Sequence, residues 1–155
     1  MDGEKISAIV KGVLDGMAEQ RMTLQLAEKL SAAVKKKAFE MGVNAVVAVT
    51  NEAARPVLVE CMDGSFIASF DVALKKAYTV VALKMSTIEL KPLANPGGSL
   101  YGIQFTNDNS IIVFGGGDPL IKGGRIIGGL GVSGGTEEQD TALSAYGRQV
   151  FESII

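Results

Sequence analysis

The apolar positions at the start of the chain recur at helical spacing and predict an amphipathic helix over residues 4–19. Its apolar stripe consists of Ile6, Ile9, Val10, Val13, Leu14 and Met17. Gly12 and Gly16 lie inside this helix, and each costs about 1 kcal/mol relative to alanine. A short helix with two glycines is marginal on its own, so we expect it to need a surface on which to dock.

Three more segments have helical periodicity. The second helix is predicted from an N-cap at Thr23 to about Met41, with Gly42 as its C-terminal stop. The third runs from about Ser69 to Lys84 and is mainly apolar. The last opens at Thr136, where Gln139 follows three residues later in a capping-box pattern.

The segments between these helices predict strands. Residues 44–50 and 55–62 form a hairpin, and residues 119–122 and 125–132 form a second one around Gly123-Gly124. Residues 100–105 and 111–114 are also predicted to be extended, whereas residues 90–99, with two prolines, are predicted to be irregular. Hairpin connections favour an antiparallel sheet with helices packed on it, an α+β fold.

The segment 114–136 contains more than half of the chain's 19 glycines. Glycine at this density costs backbone entropy, so either chains pack very closely here or a ligand lies against the main chain. Gly129 to Gly134 formally matches the dinucleotide-binding G-x-G-x-x-G motif, which requires a following parallel strand with an acidic residue. Because a single helix follows, we favour close packing of a helix on the strand.

The start of the last helix offers another candidate site. The free amides of residues 133–136 are able to hold an anion. Capping by the Thr136 side chain competes for the same donors, and we favour capping.

The amino-acid composition argues against several classes of function. The 155 residues, 47% hydrophobic and 21% charged, are typical of one globular domain. A net charge of −2 gives no electrostatic argument for nucleic-acid binding, and the apolar runs are too short for a membrane span. Asp2 and Glu4 lie where a signal peptide would be basic, and the single Cys61 suits a reducing cytoplasm. The sequence has no histidine, which excludes histidine-based catalysis and argues against a metal site.

Asp71, Lys75 and Tyr78 are spaced at i, i+4 and i+7 and share one face of the third helix. They form either a reactive polar cluster facing a pocket or a surface ion pair beside a half-buried tyrosine, and the sequence favours neither. Gly97 and Gly98 belong to a Pro-Gly-Gly segment that forms a pocket wall or a turn, and a turn is the simpler interpretation.

Several motifs together resemble the GlcG/HbpS-like family, which includes the C-terminal domain of PduO-type proteins from propanediol utilisation. The resemblance covers about residues 22–153 in order and spacing. The matching motifs are Met22-Thr23-Leu24, Met62-Asp63-Gly64, residues 71–79, Pro96-Gly97-Gly98, residues 114–117, residues 128–135 and Gln139-Asp140.

This resemblance implies a profilin-like, three-layer α/β/α fold with a five-stranded antiparallel sheet, formed here by residues 22–155. It implies a homo-oligomer, often an octamer, and haem or a corrinoid as the candidate ligand. We expect ligand contacts from two glycine-rich loops, from Tyr101 and from the strand that contains Gly131. The loop residues are Gly97, Gly98, Gly115, Gly116 and Gly117. PduO-type members use a histidine to ligate haem iron, so any ligation here must come from residues such as tyrosine or methionine.

Residues 1–21 lie outside the resemblance to the family. Their apolar pattern resembles the encapsulation peptides that direct enzymes into bacterial microcompartments. We therefore expect residues 1–20 to bind shell proteins and the protein to lie in the cytoplasm, inside a microcompartment.

Two hypotheses on function follow. The first is a non-catalytic, oligomeric ligand-binding accessory protein that handles haem or a corrinoid. The second is a small enzyme that acts on a hydroxy acid, an aldehyde or a diol-derived metabolite through Lys75, Asp71 and Tyr78, since a desolvated lysine serves as a base or forms a Schiff base.

Overall fold

The computed structural model describes residues 2–18 and 20–155, which form five α-helices and one four-stranded antiparallel sheet. The helices are α1 (Gly3–Ala18), α2 (Leu24–Glu40), α3 (Ile67–Ala82), α4 (Thr87–Ala94) and α5 (Glu137–Ile154). The strands are β1 (Val46–Asn51), β2 (Pro56–Cys61), β3 (Gly117–Lys122) and β4 (Arg125–Ser133), in the spatial order β2-β1-β4-β3. The two predicted hairpins and the antiparallel sheet are confirmed.

Helices cover both faces of this sheet. On one face, side chains of α2 and α5 such as Leu30 and Phe151 pack with Val47 and Val49 of β1 in the main hydrophobic core. On the other face, Ala73 and Ala77 of α3 pack against Val46 and Ala48 of the same strand. The alternating residues of β1 therefore point into two different cores, which is why this strand is apolar throughout.

The glycines of β4 let α3 approach the sheet closely. A Cβ atom on Gly131 would lie well inside van der Waals contact of the Ala73 carbonyl oxygen, and one on Gly129 would overlap that of Ala77. The predicted packing of a helix on the glycine-rich strand is confirmed. The space above Gly131, where the sequence suggested a ligand, is filled by α3.

The sheet has four strands instead of the five that the resemblance implied, and residues 100–105 and 111–114, which were predicted to be extended, do not form strands. Ile103–Phe105 is a short 3₁₀ turn. The segment that leads to Phe114 has main-chain groups bound by side chains instead of a neighbouring strand. The Ile112 N–H donates to Thr79 Oγ1, and the Gly115 N–H donates to Glu137 Oε2.

Helix α4 was not predicted, since Pro92 lies inside it and two glycines follow it closely. A complete capping box between Ser86 and Glu89 begins this helix. Here the capping pattern outweighs the proline, which removes one hydrogen bond in a helix of only 8 residues.

Helix α1 is present, and its apolar stripe is largely exposed. Ile6 is 45% exposed, and the other five stripe residues are 50–60% exposed. The predicted end of this helix, Glu19, and the first residue of the predicted segment 1–21, Met1, lie outside the described residues. Within the residues described, no helix is long and apolar enough to cross a membrane.

Candidate functional site

A buried ion pair joins α3 to α5. The Nζ of Lys76 lies 3.1 Å from Asp140 Oδ2 and donates to the Val132 carbonyl oxygen at 2.8 Å. Lys76 is 0% exposed and Asp140 4% exposed. Charges this deeply buried persist only when they are paired and hydrogen-bonded, as both are here.

Lys76 is buried because it lies on the inner stripe of α3, with Ala73, Ala77 and Val80. Burial lowers the pKa of its ammonium below the usual value, and the charge of Asp140 and its hydrogen bond partly offset this effect. Ionisable groups whose pKa values are perturbed in this way often mark functional sites, although structural ion pairs show the same signature.

The glycine-rich loop of residues 114–117 covers the pair. The ring centroid of Phe114 lies 4.9 Å from Lys76 Nζ, a cation–π distance. Gly116 has φ +115°, and a Cβ atom there would lie 2.6 Å from the same nitrogen. At Gly116, the loop therefore runs so close to the lysine that only glycine fits.

Hydrogen bonds hold this loop on both sides. The Gly115 N–H donates to Glu137 Oε2 at 3.0 Å, and the Gly117 N–H donates to Thr87 Oγ1 at 2.9 Å. The Val132 N–H donates to the Gly116 carbonyl oxygen at 2.8 Å. The expected ligand contacts at Gly115, Gly116 and Gly117 thus fall on a loop that is fixed over the ion pair.

An open cleft of about 410 Å³ lies beside Phe114, and we call it the Phe114 cleft. Its apolar walls come from Phe66, Ala68, Val72 and Phe114. Its polar lining comes from Ser69, Ser133, Gly135, Glu137 and Asp140. The cleft therefore combines two aromatic rings with a polar floor.

The carboxylates that line the polar floor of the Phe114 cleft are each paired with a lysine. Glu137 is bound by Lys91, and this hydrogen bond together with the Gly115 N–H lowers the pKa of its carboxyl group. Glu137 is therefore ionised at neutral pH, and with Asp140 it matches the two cations Lys76 and Lys91. A ligand in the Phe114 cleft meets apolar walls and no unbalanced charge, which favours an apolar, uncharged group.

The structure brings Asp71, Lys75 and Tyr78 together at a smaller cleft of about 220 Å³. Lys75 Nζ lies 3.1 Å from Asp71 Oδ2, and the two side chains are 29% and 66% exposed. The Tyr78 hydroxyl donates to Asn107 Oδ1 at 3.2 Å. The cluster is at once a partly exposed ion pair and the wall of a cleft, and its reactivity remains a prediction.

Gly97, Gly98 and Tyr101 follow α4. The Gly98 N–H donates to the Asn95 carbonyl oxygen at 2.8 Å, and a Cβ atom on Gly98 would overlap the Leu93 carbonyl oxygen. Gly97 has φ +87°, and Tyr101 is 62% exposed. A tight turn explains both glycines, while the lining of the Phe114 cleft comes from other segments.

Capping of α5 by its own side chains is confirmed, and this occupies two of the donors of the suggested anion site. The Gly135 N–H donates to Asp140 Oδ1, and the Thr136 N–H donates to Gln139 Oε1, both at 2.9 Å. No group of three or more cysteines, aspartates and glutamates suited to a metal ion occurs in the described part of the chain.

Sequence reasoning did not single out Lys76, Glu137 or Phe66. One signal for Lys76 was available, because Ser69, Ala73, Lys76 and Val80 follow helical spacing on the buried stripe of α3. A lysine in such a stripe requires a buried partner. Its partner, Asp140, is separated from it by 64 residues, so local patterns do not indicate the pair.

A family model described as "Haem degrading protein HbpS-like" matches residues 22–149. An uncharacterised 15.0 kDa protein from the dhaT-dhaS intergenic region of Citrobacter freundii is 42% identical to the chain over 133 residues. This match covers 86% of the chain and 94% of that relative. The matched region begins where the sequence resemblance predicted, after α1.

Two further comparisons involve PduO proteins. The corrinoid adenosyltransferase PduO of Salmonella typhimurium is 37% identical over 116 residues, which are 75% of the chain but only 34% of that enzyme. The crystal structure of a PduOC–haem complex shares 32% identity with the chain and has a TM-score of 0.80. The similarity covers 83% of the chain and 94% of the PduOC chain.

Proposed function

Since this chain belongs to the HbpS-like family, we propose that it is a non-catalytic, self-associating protein that binds a tetrapyrrole, either haem or a corrinoid. The observation that carries this proposal is the similarity to the PduOC–haem complex over most of both chains. The chain spans about a third of the PduO adenosyltransferase, so that enzyme's activity is not part of the proposal.

The Phe114 cleft suits the apolar body of such a ligand. Phe66 and Phe114 provide aromatic surfaces that stack on a flat ring, and Val72 and Ala68 extend the apolar wall. Phe66 is 69% exposed and is therefore available for contact. Burying this apolar surface supplies the favourable free energy of binding.

The residues fit the iron of haem less well. The Met62 sulfur accepts the Ala45 N–H at 3.4 Å, and the Tyr78 hydroxyl is bound to Asn107. Cys61 is exposed at the end of β2. Neither these three residues nor any histidine is part of the Phe114 cleft, so we assign no axial ligand there.

The proposal includes self-association because large apolar side chains lie exposed near the start of α3. Ile67 is 97% exposed, and Phe70 is 48% exposed. Burying residues of this kind against another copy would remove apolar area from water. Light scattering at micromolar concentration tests this part of the proposal, and a strict monomer would contradict it.

The proposal also places the protein in a bacterial microcompartment, with α1 as the targeting element. The exposed stripe of α1 supports this role, since it offers apolar side chains to a partner. Binding of residues 1–20 to shell proteins remains the most direct test of this location.

Absorbance and mass spectra of the protein purified from its native host test the proposed ligand. A bound tetrapyrrole is expected, together with weak haem affinity in titration. A sharp Soret band with nanomolar affinity would contradict the absence of a strong axial ligand. A colourless protein that carries a small metabolite would contradict tetrapyrrole binding.

The second candidate is a small enzyme that acts on a hydroxy acid, an aldehyde or a diol-derived metabolite. The shared cleft of Asp71, Lys75 and Tyr78 favours it. If a small metabolite is found, loss of its binding in Lys75→Met, with retention in Lys84→Met, would support this alternative.

A further inference from the structure

We propose that the Phe114 cleft holds the porphyrin ring by contact alone, so that this protein binds the metal-free porphyrin about as well as haem. This inference rests on the tetrapyrrole binding proposed above. Beyond that proposal, iron is not needed for recognition of the ring in this cleft.

The carboxylate oxygen atoms that line the cleft are already hydrogen-bonded. Asp140 accepts from Gly135 and Lys76 through its two carboxylate oxygens. Glu137 accepts from Lys91 and Gly115 in the same way. Iron coordination by either carboxylate would have to replace charge-assisted hydrogen bonds, which are among the stronger ones in proteins.

The two serines of the cleft also offer the iron no strong ligand. The Ser133 hydroxyl donates to the Ser69 hydroxyl at 3.1 Å, and this contact is buried. A neutral hydroxyl is a weak iron ligand compared with histidine or a thiolate. The cleft therefore offers the iron no strong ligand that is free.

Contacts within the protein hold the aromatic wall of the cleft in place. Phe114 is held from behind by the Lys76 ammonium and by the hydrogen bonds of the neighbouring glycines, so its ring is positioned before any ligand binds. Preorganised walls reduce the entropy lost on binding. Phe66 lies directly before α3 and supplies the second aromatic side chain that lines the cleft.

The ion pairs at the floor of the cleft determine the orientation of the ring. Lys76 and Lys91 beside the floor are already paired with Asp140 and Glu137, so neither lysine is free to bind the two propionate groups of the porphyrin. The ring therefore enters with its apolar, methyl- and vinyl-bearing edge first, and the propionates remain in water.

The test is a pair of titrations of the full-length protein, one with haemin and one with protoporphyrin IX, followed by porphyrin absorbance and fluorescence. The two dissociation constants are expected to agree within about threefold, since each tenfold difference corresponds to 1.4 kcal/mol. Phe66→Ala should weaken both ligands by a similar factor. The matched control is Phe39→Ala, which removes a 78% exposed phenylalanine of α2 that does not line this cleft.

The outcomes separate this inference from the proposed function. Haem binding at least about tenfold tighter than protoporphyrin binding, with a spectrum that changes in Tyr78→Phe or Cys61→Ser, would overturn contact-only recognition and leave haem binding intact. Equal weakening by Phe66→Ala and Phe39→Ala would overturn the assignment to this cleft. Failure of both ligands to bind, with no chromophore in the native protein, would overturn the inference and the proposed function together.

Discussion

The Lys76 Nζ lies 3.1 Å from Asp140 Oδ2, an ion pair across 64 residues of sequence, and both side chains are buried. The pair connects the inner face of α3 to the first turn of α5, and Lys76 also binds the main chain of β4 through Val132. Removing two charges from water often costs more free energy than their mutual attraction contributes. We therefore explain the pair by its effect on position, because it holds Phe114 and the glycine-rich loop in place. A contribution to the stability of the fold explains it less well.

Removing one partner of this pair should strongly destabilise the protein. Lys76→Met leaves the Asp140 carboxylate buried without its cation, and such changes typically cost about 3–5 kcal/mol. Urea unfolding followed by circular dichroism measures the loss. If Phe114 depends on the pair, the variant also binds a porphyrin more weakly under conditions where it remains folded.

The control is the adjacent residue. Lys75→Met breaks a partly exposed pair with Asp71, and exposed pairs contribute about 0–1 kcal/mol. Comparable losses in Lys75→Met and Lys76→Met would show that the buried pair has no special role.

Gly131→Val should destabilise the fold, because the new side chain would collide with the main chain of α3 at Ala73. Overpacking typically costs about 1–3 kcal/mol, and a collision with helix backbone relaxes less easily than one with a flexible side chain. Thermal unfolding measures the loss. Gly12→Ala is the control, since a Cβ atom there meets nothing within 4 Å, and full stability of Gly131→Val would refute the close-approach explanation.

The sequence predicted those features that depend on neighbouring residues. The caps at Thr23 and Thr136, the turn at Gly123-Gly124 and the amphipathic α1 all follow from local spacing. The resemblance to a known family added the expected fold class, but the sheet has four strands instead of five.

The features that the sequence did not predict depend on contacts between distant segments. Residues 111–114 were predicted to be extended, but the Ile112 N–H donates to the Thr79 side chain of α3 and not to a neighbouring strand. The Phe114 cleft gathers residues from α3, the glycine-rich loop and α5, so no single motif indicates it. The burial of Lys76 could be predicted from its place in an apolar stripe, whereas its pairing with Asp140 could not.

Acid should weaken the contact between α2 and β2. Glu60 Oε2 accepts from Lys35 at 2.7 Å and from Ser31 at 2.6 Å, and these hydrogen bonds lower the pKa of Glu60 below 4.5. A carboxyl group with a lowered pKa in the folded state stabilises the protein above its unfolded pKa. That contribution is lost as the pH falls from about 4.5 through the folded pKa.

The measurement is the free energy of unfolding of wild type and Glu60→Gln between pH 7 and pH 3. The wild type should be more stable at neutral pH, and the difference should shrink on acidification. Glu28→Gln, on the exposed side of α2, is the control. Asp118 acts in the opposite sense, because burial raises the pKa of its carboxyl group, so only the difference between variants is diagnostic. A difference that stays constant over this range would exclude Glu60 as the source.

Deleting residues 1–20 should leave the melting temperature and the oligomer size unchanged. The six apolar side chains of the α1 stripe are 45–60% exposed, so they contribute little burial to the rest of the protein. At Gln20, the deletion removes one exposed hydrogen bond, in which Arg125 donates to the Gln20 side chain at 3.1 Å. Arg125→Ala in the full-length chain controls for that contact.

The same deletion tests the targeting role, because a partner that buried the stripe would gain about 1.5–3 kcal/mol for each fully buried side chain. Co-purification with microcompartment shells should therefore be lost on truncation, while folding is retained. Ile9→Asp in the full-length protein places a charge in the stripe without shortening the chain and should also abolish co-purification. A fall of several degrees in melting temperature, or smaller oligomers, would instead assign α1 to the assembly of the protein itself, and the targeting role would have to be abandoned.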